Sequence, residues 1–168
     1  MNQIVLIGFM GAGKTTVGNL LAEKLNSQQY DFDQLIVEKI GMSIADYFEQ
    51  YGDVAFREIE TTVLAEVDAL DGILSTGGGI VLKAENRELL KKMANVVYLK
   101  ADLTELIQRV TQDEENIRPL ADSKTPQEIE AIYRPRVPLY EESAQIIIET
   151  TGKTPQEIVT EILKQVGE

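Results

Sequence analysis

Cysteine and histidine are both absent from the 168 residues. Without cysteine there can be no disulfide and no thiolate metal ligand; without histidine the commonest general base and transition-metal ligand is missing. Any catalysis must therefore run on carboxylates, lysine, arginine and a hard cation. Positive charge is also scarce, with 16 Lys and Arg against 28 Asp and Glu, a net charge of −12. That balance argues against a nucleic-acid partner, for which a basic face is expected. It is equally awkward for a protein that handles anions, unless its few cations gather at one place. The arginines are Arg57, Arg87, Arg109, Arg118, Arg134 and Arg136, and all but Arg87 fall in stretches with other unusual features. No apolar run approaches the length of a membrane span, and the chain enters a strand at once without a basic leader. No membrane partner and a cytosolic location are expected, for a single domain over residues 1–168.

What the chain does have begins at residues 4–16. The apolar, β-branched run Ile4-Val5-Leu6-Ile7 feeds a glycine-rich turn that opens a helix, and Gly8, Gly13, Lys14 and Thr15 complete the spacing GxxxxGK[ST]. The strand before and the helix after are the context that a phosphate-binding loop requires. Glycines let successive backbone N–H groups turn inward around an anion, and the new helix adds its unpaired N–H groups and positive dipole end. Lys14 supplies a mobile charge for β and γ phosphates, and the Thr15 hydroxyl is placed to ligate a Mg²⁺ that bridges them.

Further along, apolar periodicity predicts a helix over 16–26, and Tyr30-Asp31-Phe32-Asp33 reads as the end of a short strand. Two carboxylates two apart on an extended segment point the same way, so Asp31 and Asp33 suit either a cation and an acceptor hydroxyl or the cap of the next helix. Residues 34–68 read as helices broken at Gly41 and again at Gly52, with Ser43 and Asp46 as a capping pair. Within them Arg57 and Glu60 are spaced to pair on a helix, as a surface salt bridge or as an oriented guanidinium. A third strand, Ile73 to Thr76, ends in Gly77-Gly78-Gly79. Three glycines in a row suggest a ligand lying against bare backbone at the carboxyl end of a sheet, or else a flexible turn. A helix over 85–93, a strand over 95–100 and a helix over 102–110 follow. Residues 111–124 lack apolar periodicity and carry Arg118-Pro119-Leu120, a pattern expected of a lid bearing an arginine for γ-phosphate charge. Thr125-Pro126-Gln127-Glu128 starts a helix expected to run to Arg134, where Pro135 and Pro138 disturb it. A last strand spans 145–149, and Thr154-Pro155-Gln156-Glu157 starts the final helix.

Seven motifs in order resemble the shikimate kinase family over nearly the whole length. They are GxxGxGKT at Gly8 to Thr15, DxD at Asp31 and Asp33, GxSIxxxF at Gly41 to Phe48, FRxxE at Phe56 to Glu60, the triple glycine at Gly77 to Gly79, RPL at Arg118 to Leu120, and RxPLY at Arg136 to Tyr140. The resemblance implies an α/β fold of the P-loop nucleoside monophosphate kinase type: a five-stranded parallel sheet in order 23145 with helices on both faces. It implies transfer of the γ-phosphoryl of ATP to the 3-hydroxyl of shikimate, on the route to chorismate and the aromatic amino acids. It implies Mg²⁺ as cofactor, ATP and shikimate as the ligands, and a monomer. By the same resemblance, residues 33–61 form the substrate-binding helical region and 111–124 the lid. The loop residues Gly11, Ala12, Gly13, Lys14, Thr15 and Thr16 would bind nucleotide, with Arg118; Arg109 and Pro155 would sandwich the adenine. Arg57 and Arg136 would hold the substrate carboxylate, Phe48 and Phe56 would wall the pocket, and Gly77, Gly78 and Gly79 would present backbone to the ring. Asp33 is the candidate base, with Lys14 and Arg118 as the other catalytic residues; Thr15, and Asp31 through water, would hold the metal.

The chain departs from the pattern at three places: about two extra residues between Arg109 and Arg118, Val37 where glutamate is frequent, and Asp53 where glutamate usually follows the glycine. Arg134 lies two residues from Arg136, but only Arg136 fits RxPLY. Other readings are a kinase of the same fold acting on another small molecule such as gluconate, which lacks a reason for two arginines beside a triple glycine, and a nucleotide switch, which expects an NKxD motif that is absent.

Overall fold

A computed structural model describes residues 3–112 and 125–167. In chain order the elements are β1 (Ile4–Ile7), α1 (Lys14–Lys24), β2 (Gln29–Asp31), α2 (Phe32–Ile40), α3 (Ile44–Glu66), β3 (Ile73–Ser75), α4 (Ala84–Lys92), β4 (Val96–Lys100), α5 (Leu103–Gln112), α6 (Pro126–Ser143), β5 (Ile146–Glu149) and α7 (Pro155–Val166). Most of the lid expected over 111–124, including Arg118, lies outside the described residues; Thr111 and Gln112 extend α5.

The strands form one parallel sheet in the order β2-β3-β1-β4-β5, the order the resemblance implied. Parallel strands need crossovers, and the helices that supply them cover both faces, so the central strands must be apolar on both sides. All four residues of β1 are at most 2% exposed, and Val96 to Leu99 of β4 are as deeply buried. Burial of each such side chain contributes about 1.5–3 kcal/mol. The sheet thereby holds its carboxyl ends rigidly side by side, which is where the loops with glycine and charge emerge.

Side-chain caps set most helix starts. Ser43 accepts from the N–H of Asp46, and Thr125 and Thr154 each form a capping box with Glu128 and Glu157. The capping reading of Asp31 is borne out: its carboxylate accepts from the N–H groups of Asp33, at 2.9 Å, and Gln34, at 3.3 Å. Asp31 and Asp33 are therefore not neighbours on one extended strand, because β2 stops at Asp31 and Asp33 sits in the first turn of α2. The predicted break at Gly52 is present as a kink within α3, with φ 86° and ψ 176°, a conformation open to glycine alone.

The expected end of α6 near Arg134 is overturned: the helix continues through Pro135 and Pro138 to Ser143. Each proline removes one N–H donor. Ile129 and Tyr133 anchor the helix before the prolines and Tyr140 and Ser143 after them, all buried, so packing outweighs the lost bonds.

Candidate active site

The loop at 8–13 carries its backbone specialisation in its glycines. A Cβ on Gly8 would lie 2.9 Å from the Leu99 carbonyl of β4, and Gly13 caps α1 with φ 90°. No side chain caps α1, unlike α2, α3, α6 and α7, which leaves its first-turn N–H groups without the side-chain acceptor that would compete with an anion. The Lys14 ammonium folds over the loop and donates to the carbonyls of Gly8 and Phe9. Thr15 and Thr16 are exposed at the same helix end. Arg109, from α5, donates to the Gly11 carbonyl at 3.1 Å and is held by Glu105 at 2.8 Å. Pro155 stands half-buried at the first position of α7.

The triple glycine is where the other candidates meet. A Cβ on Gly77 would lie 3.1 Å from the Asp33 carboxylate. One on Gly78 would lie 3.5 Å from the Met10 nitrogen, 3.6 Å from Arg136 Nη1 and 3.7 Å from the Gly8 carbonyl oxygen. One on Gly79 would lie 2.4 Å from Arg57 Nη1. Three consecutive glycines thus let a carboxylate, two guanidinium groups and the phosphate loop approach the same strip of backbone. Ordinary side chains there would fill the space the charged groups share.

Each arginine has its own support. Arg57 Nη1 donates to both oxygens of Glu60, and its Cζ lies 5.3 Å over the Phe56 ring, which packs 4.5 Å from the ring of Phe48. Asp53, the departure noted in the sequence, is exposed and lies 3.6 Å from Nε of the largely buried Arg57 as an i,i+4 pair. Glu60 is only 2% exposed, so the surface-bridge reading of this pair does not hold. Burial raises its pKa above the ordinary carboxyl range; the Arg57 charge and hydrogen bond oppose that shift, Asp33 adds to it and Arg136 weakly opposes it.

Arg136 lies with its Cζ 5.9 Å over the Phe9 ring. Arg134, by contrast, points to solvent, 69% exposed and paired with Glu130. Tyr140 donates its hydroxyl to the Gly78 carbonyl at 2.6 Å, fixing the middle glycine from beneath. Burial pushes that hydroxyl well above the ordinary phenol range against the nearby Arg136, so it remains a donor.

Phe9 and Tyr140 are site residues that sequence reasoning did not single out. Tyr140 ends the RxPLY motif, and that was the only signal it offered. Phe9 sits inside the phosphate-loop motif at a position where any residue is allowed.

This geometry can bind a polyphosphate at the α1 end and a small carboxylate at the arginines, with Asp33 beside the strip between them. The shikimate kinase family model matches residues 10–167. The shikimate kinase of Enterococcus faecalis is 52% identical over 168 residues, all of both chains, and that of Streptococcus gordonii is 47% identical over 92% of this chain and 94% of its own. A solved shikimate kinase from Acinetobacter baumannii, in complex with shikimate, superposes with a TM-score of 0.90 at 40% identity, covering 99% of this chain and 93% of that one. With phosphate loop, paired arginines and triple glycine assembled on the sheet order found here, the chain belongs to the shikimate kinase family.

Proposed function

We propose that this kinase moves the γ-phosphoryl of ATP to the 3-hydroxyl of shikimate, giving shikimate 3-phosphate for aromatic amino acid biosynthesis. The observation that carries the assignment of roles is the convergence of Asp33, Arg136 and Arg57 on Gly77, Gly78 and Gly79, with the Gly8 and Met10 backbone against the same strip. In this reading Arg57 and Arg136 grip the substrate carboxylate with charge-assisted bonds, and Phe48 and Phe56 wall the ring. The hydroxyl then faces Asp33, which accepts its proton or orients it as the bond to phosphorus forms. Lys14 and the α1 N–H groups take the charge that spreads over the transferring phosphoryl group. Arg109 and Pro155 flank the adenine, and Arg118 belongs to the same assignment on its RPL motif alone.

The donor set suits Mg²⁺ and no softer metal. It offers the exposed Thr15 hydroxyl and the carboxylates of Asp31 and Asp33, all hard oxygens, in a chain without histidine or cysteine. Thr15 would hold the ion directly and Asp31 through water; when bound, the ion offsets the charge of the phosphate oxygens. Among the described residues no helix is long and apolar enough to cross a membrane. A cytosolic monomer completes the reading.

Incubation with ATP, Mg²⁺ and shikimate, followed by phosphorus–proton coupling in the NMR spectrum of the product, tests it. Coupling to the proton on carbon 3 is expected; an ester at another carbon, or none, overturns the proposal.

A further inference from the structure

The phosphate loop is tied to the acceptor side of the sheet through one buried hydroxyl. Ser75, 3% exposed at the end of β3, pairs in register with Leu6 of β1 on one side and Asp31 of β2 on the other. It therefore stands between the strand that feeds the phosphate loop and the strand that ends at the cap of Asp33's helix. Its Oγ accepts from Gln29 Nε2 at 2.8 Å and donates to the Lys14 carbonyl at 3.1 Å. The hydroxyl gives its one proton to the Lys14 carbonyl and accepts from Gln29, so β2, β3 and the first turn of α1 are joined through a single atom.

Gly18 makes the junction possible. It is buried in the middle of α1, where glycine is disfavoured relative to alanine. A Cβ there would lie 2.6 Å from Ser75 Oγ and 3.2 Å from Gln29 Cγ and Nε2. The helix carries a residue poor for helices at a position where a methyl group would push the hydroxyl off the Lys14 carbonyl.

We propose that Ser75 is a positioning residue for the nucleotide site: held by Gln29 and given room by Gly18, its hydroxyl fixes the first turn of α1, and with it Lys14 and Thr15, against the strands that carry the acceptor side. This rests on the kinase reading above, but the junction acts on nucleotide binding whatever the acceptor. A Ser75 that merely filled space would matter to stability and not to nucleotide.

The test compares wild type, Ser75→Ala, Gly18→Ala and Gly18→Ala/Ser75→Ala by thermal melting, by titration with ADP, and by steady-state kinetics. Ser75→Ala should weaken ADP binding and lower kcat/KM for ATP by about fivefold to tenfold, the scale of one buried hydrogen bond, with KM for shikimate changed less than about twofold. Gly18→Ala should lower the melting temperature and ADP affinity together. In the double variant the missing hydroxyl relieves the crowding, so the melting temperature should recover to that of Ser75→Ala while ADP binding stays at the weakened level. ADP affinity like wild type in Ser75→Ala, or regained in the double variant, overturns the proposal. If Gly18→Ala does not fold, the other two variants decide it. Should wild type bind ADP yet fail to phosphorylate shikimate, the functional reading fails while the ADP titrations still judge Ser75.

Discussion

Arg57 Nη1 reaches both carboxylate oxygens of Glu60, at 3.0 and 3.2 Å, in a pair of which Glu60 is almost wholly buried. A buried acid bonded to the guanidinium fixes where it points, since its Cζ also lies over the Phe56 ring. It also leaves Glu60 as an expensive buried charge whose hydrogen-bonded counter-ion among the described residues is Arg57.

Glu60→Gln keeps the shape and removes the charge. KM for shikimate should rise by about tenfold as Arg57 loses its charge-assisted partner, while KM for ATP stays within about twofold. The stability difference from wild type should depend on pH. A carboxyl whose folded value is raised gives stability that is fully present below its unfolded value, near 4.5, and lost as pH rises through the folded one. Wild type should therefore be most favoured over Glu60→Gln in acid and progressively less so toward neutrality, as read by urea unfolding at several pH values. The opposite trend would show that Arg57 outweighs burial.

Gly79→Ala should act through Arg57 rather than through the backbone. The new methyl would fall 2.4 Å from Nη1, the far end of a flexible side chain, so the fold should survive with the guanidinium displaced. Shikimate binding should weaken by about tenfold and ATP binding hardly change, as kinetics with each ligand varied in turn would show.

For the second clamp residue, Arg136→Ala should reduce kcat/KM for shikimate by about 10- to 150-fold, the range for hydrogen bonds to charged groups. Arg134→Ala should leave activity within about twofold, since that side chain is solvated and bridged to Glu130. Equal losses in the two variants, or an equal loss toward ATP and shikimate in Arg136→Ala, would misplace the clamp.

Lys14→Ala and Asp33→Asn probe the reacting end. The first should cost about a hundredfold or more in turnover through lost charge stabilisation, and the second about a hundredfold to ten-thousandfold. Circular dichroism should show both folded, because Asp33 is exposed and Lys14 only half-buried. Turnover near wild type in either would remove that residue from the mechanism.

The phosphate loop, the capping boxes at Thr125 and Thr154 and the break at Gly52 were legible in the sequence because each is a local pattern with a local cause. The strand order came with the family resemblance, since short apolar runs do not say which neighbour they pair with. For Asp31 and Asp33 both a cap and an extended pair were open, and only the extended placement of Asp33 fails, because a cap and a strand end look alike when β2 is only three residues long. The prolines of α6 misled for the opposite reason: a local rule was overridden by the packing of Tyr133 and Tyr140. Burial of Glu60 had a signal, since it lies on the helical stripe of Phe56, Val63 and Leu64, but a charged residue on such a stripe reads equally as its edge. The Ser75 junction had none, because Gln29, Gly18 and Ser75 meet only once the sheet and α1 are assembled.

The most direct measurement is coupled ADP release with ATP and Mg²⁺ across a small panel of acceptors, shikimate and gluconate side by side. A clamp of two guanidinium groups over bare backbone predicts turnover with shikimate and background release with gluconate. Release with gluconate at the shikimate rate, or no release with shikimate, would contradict it.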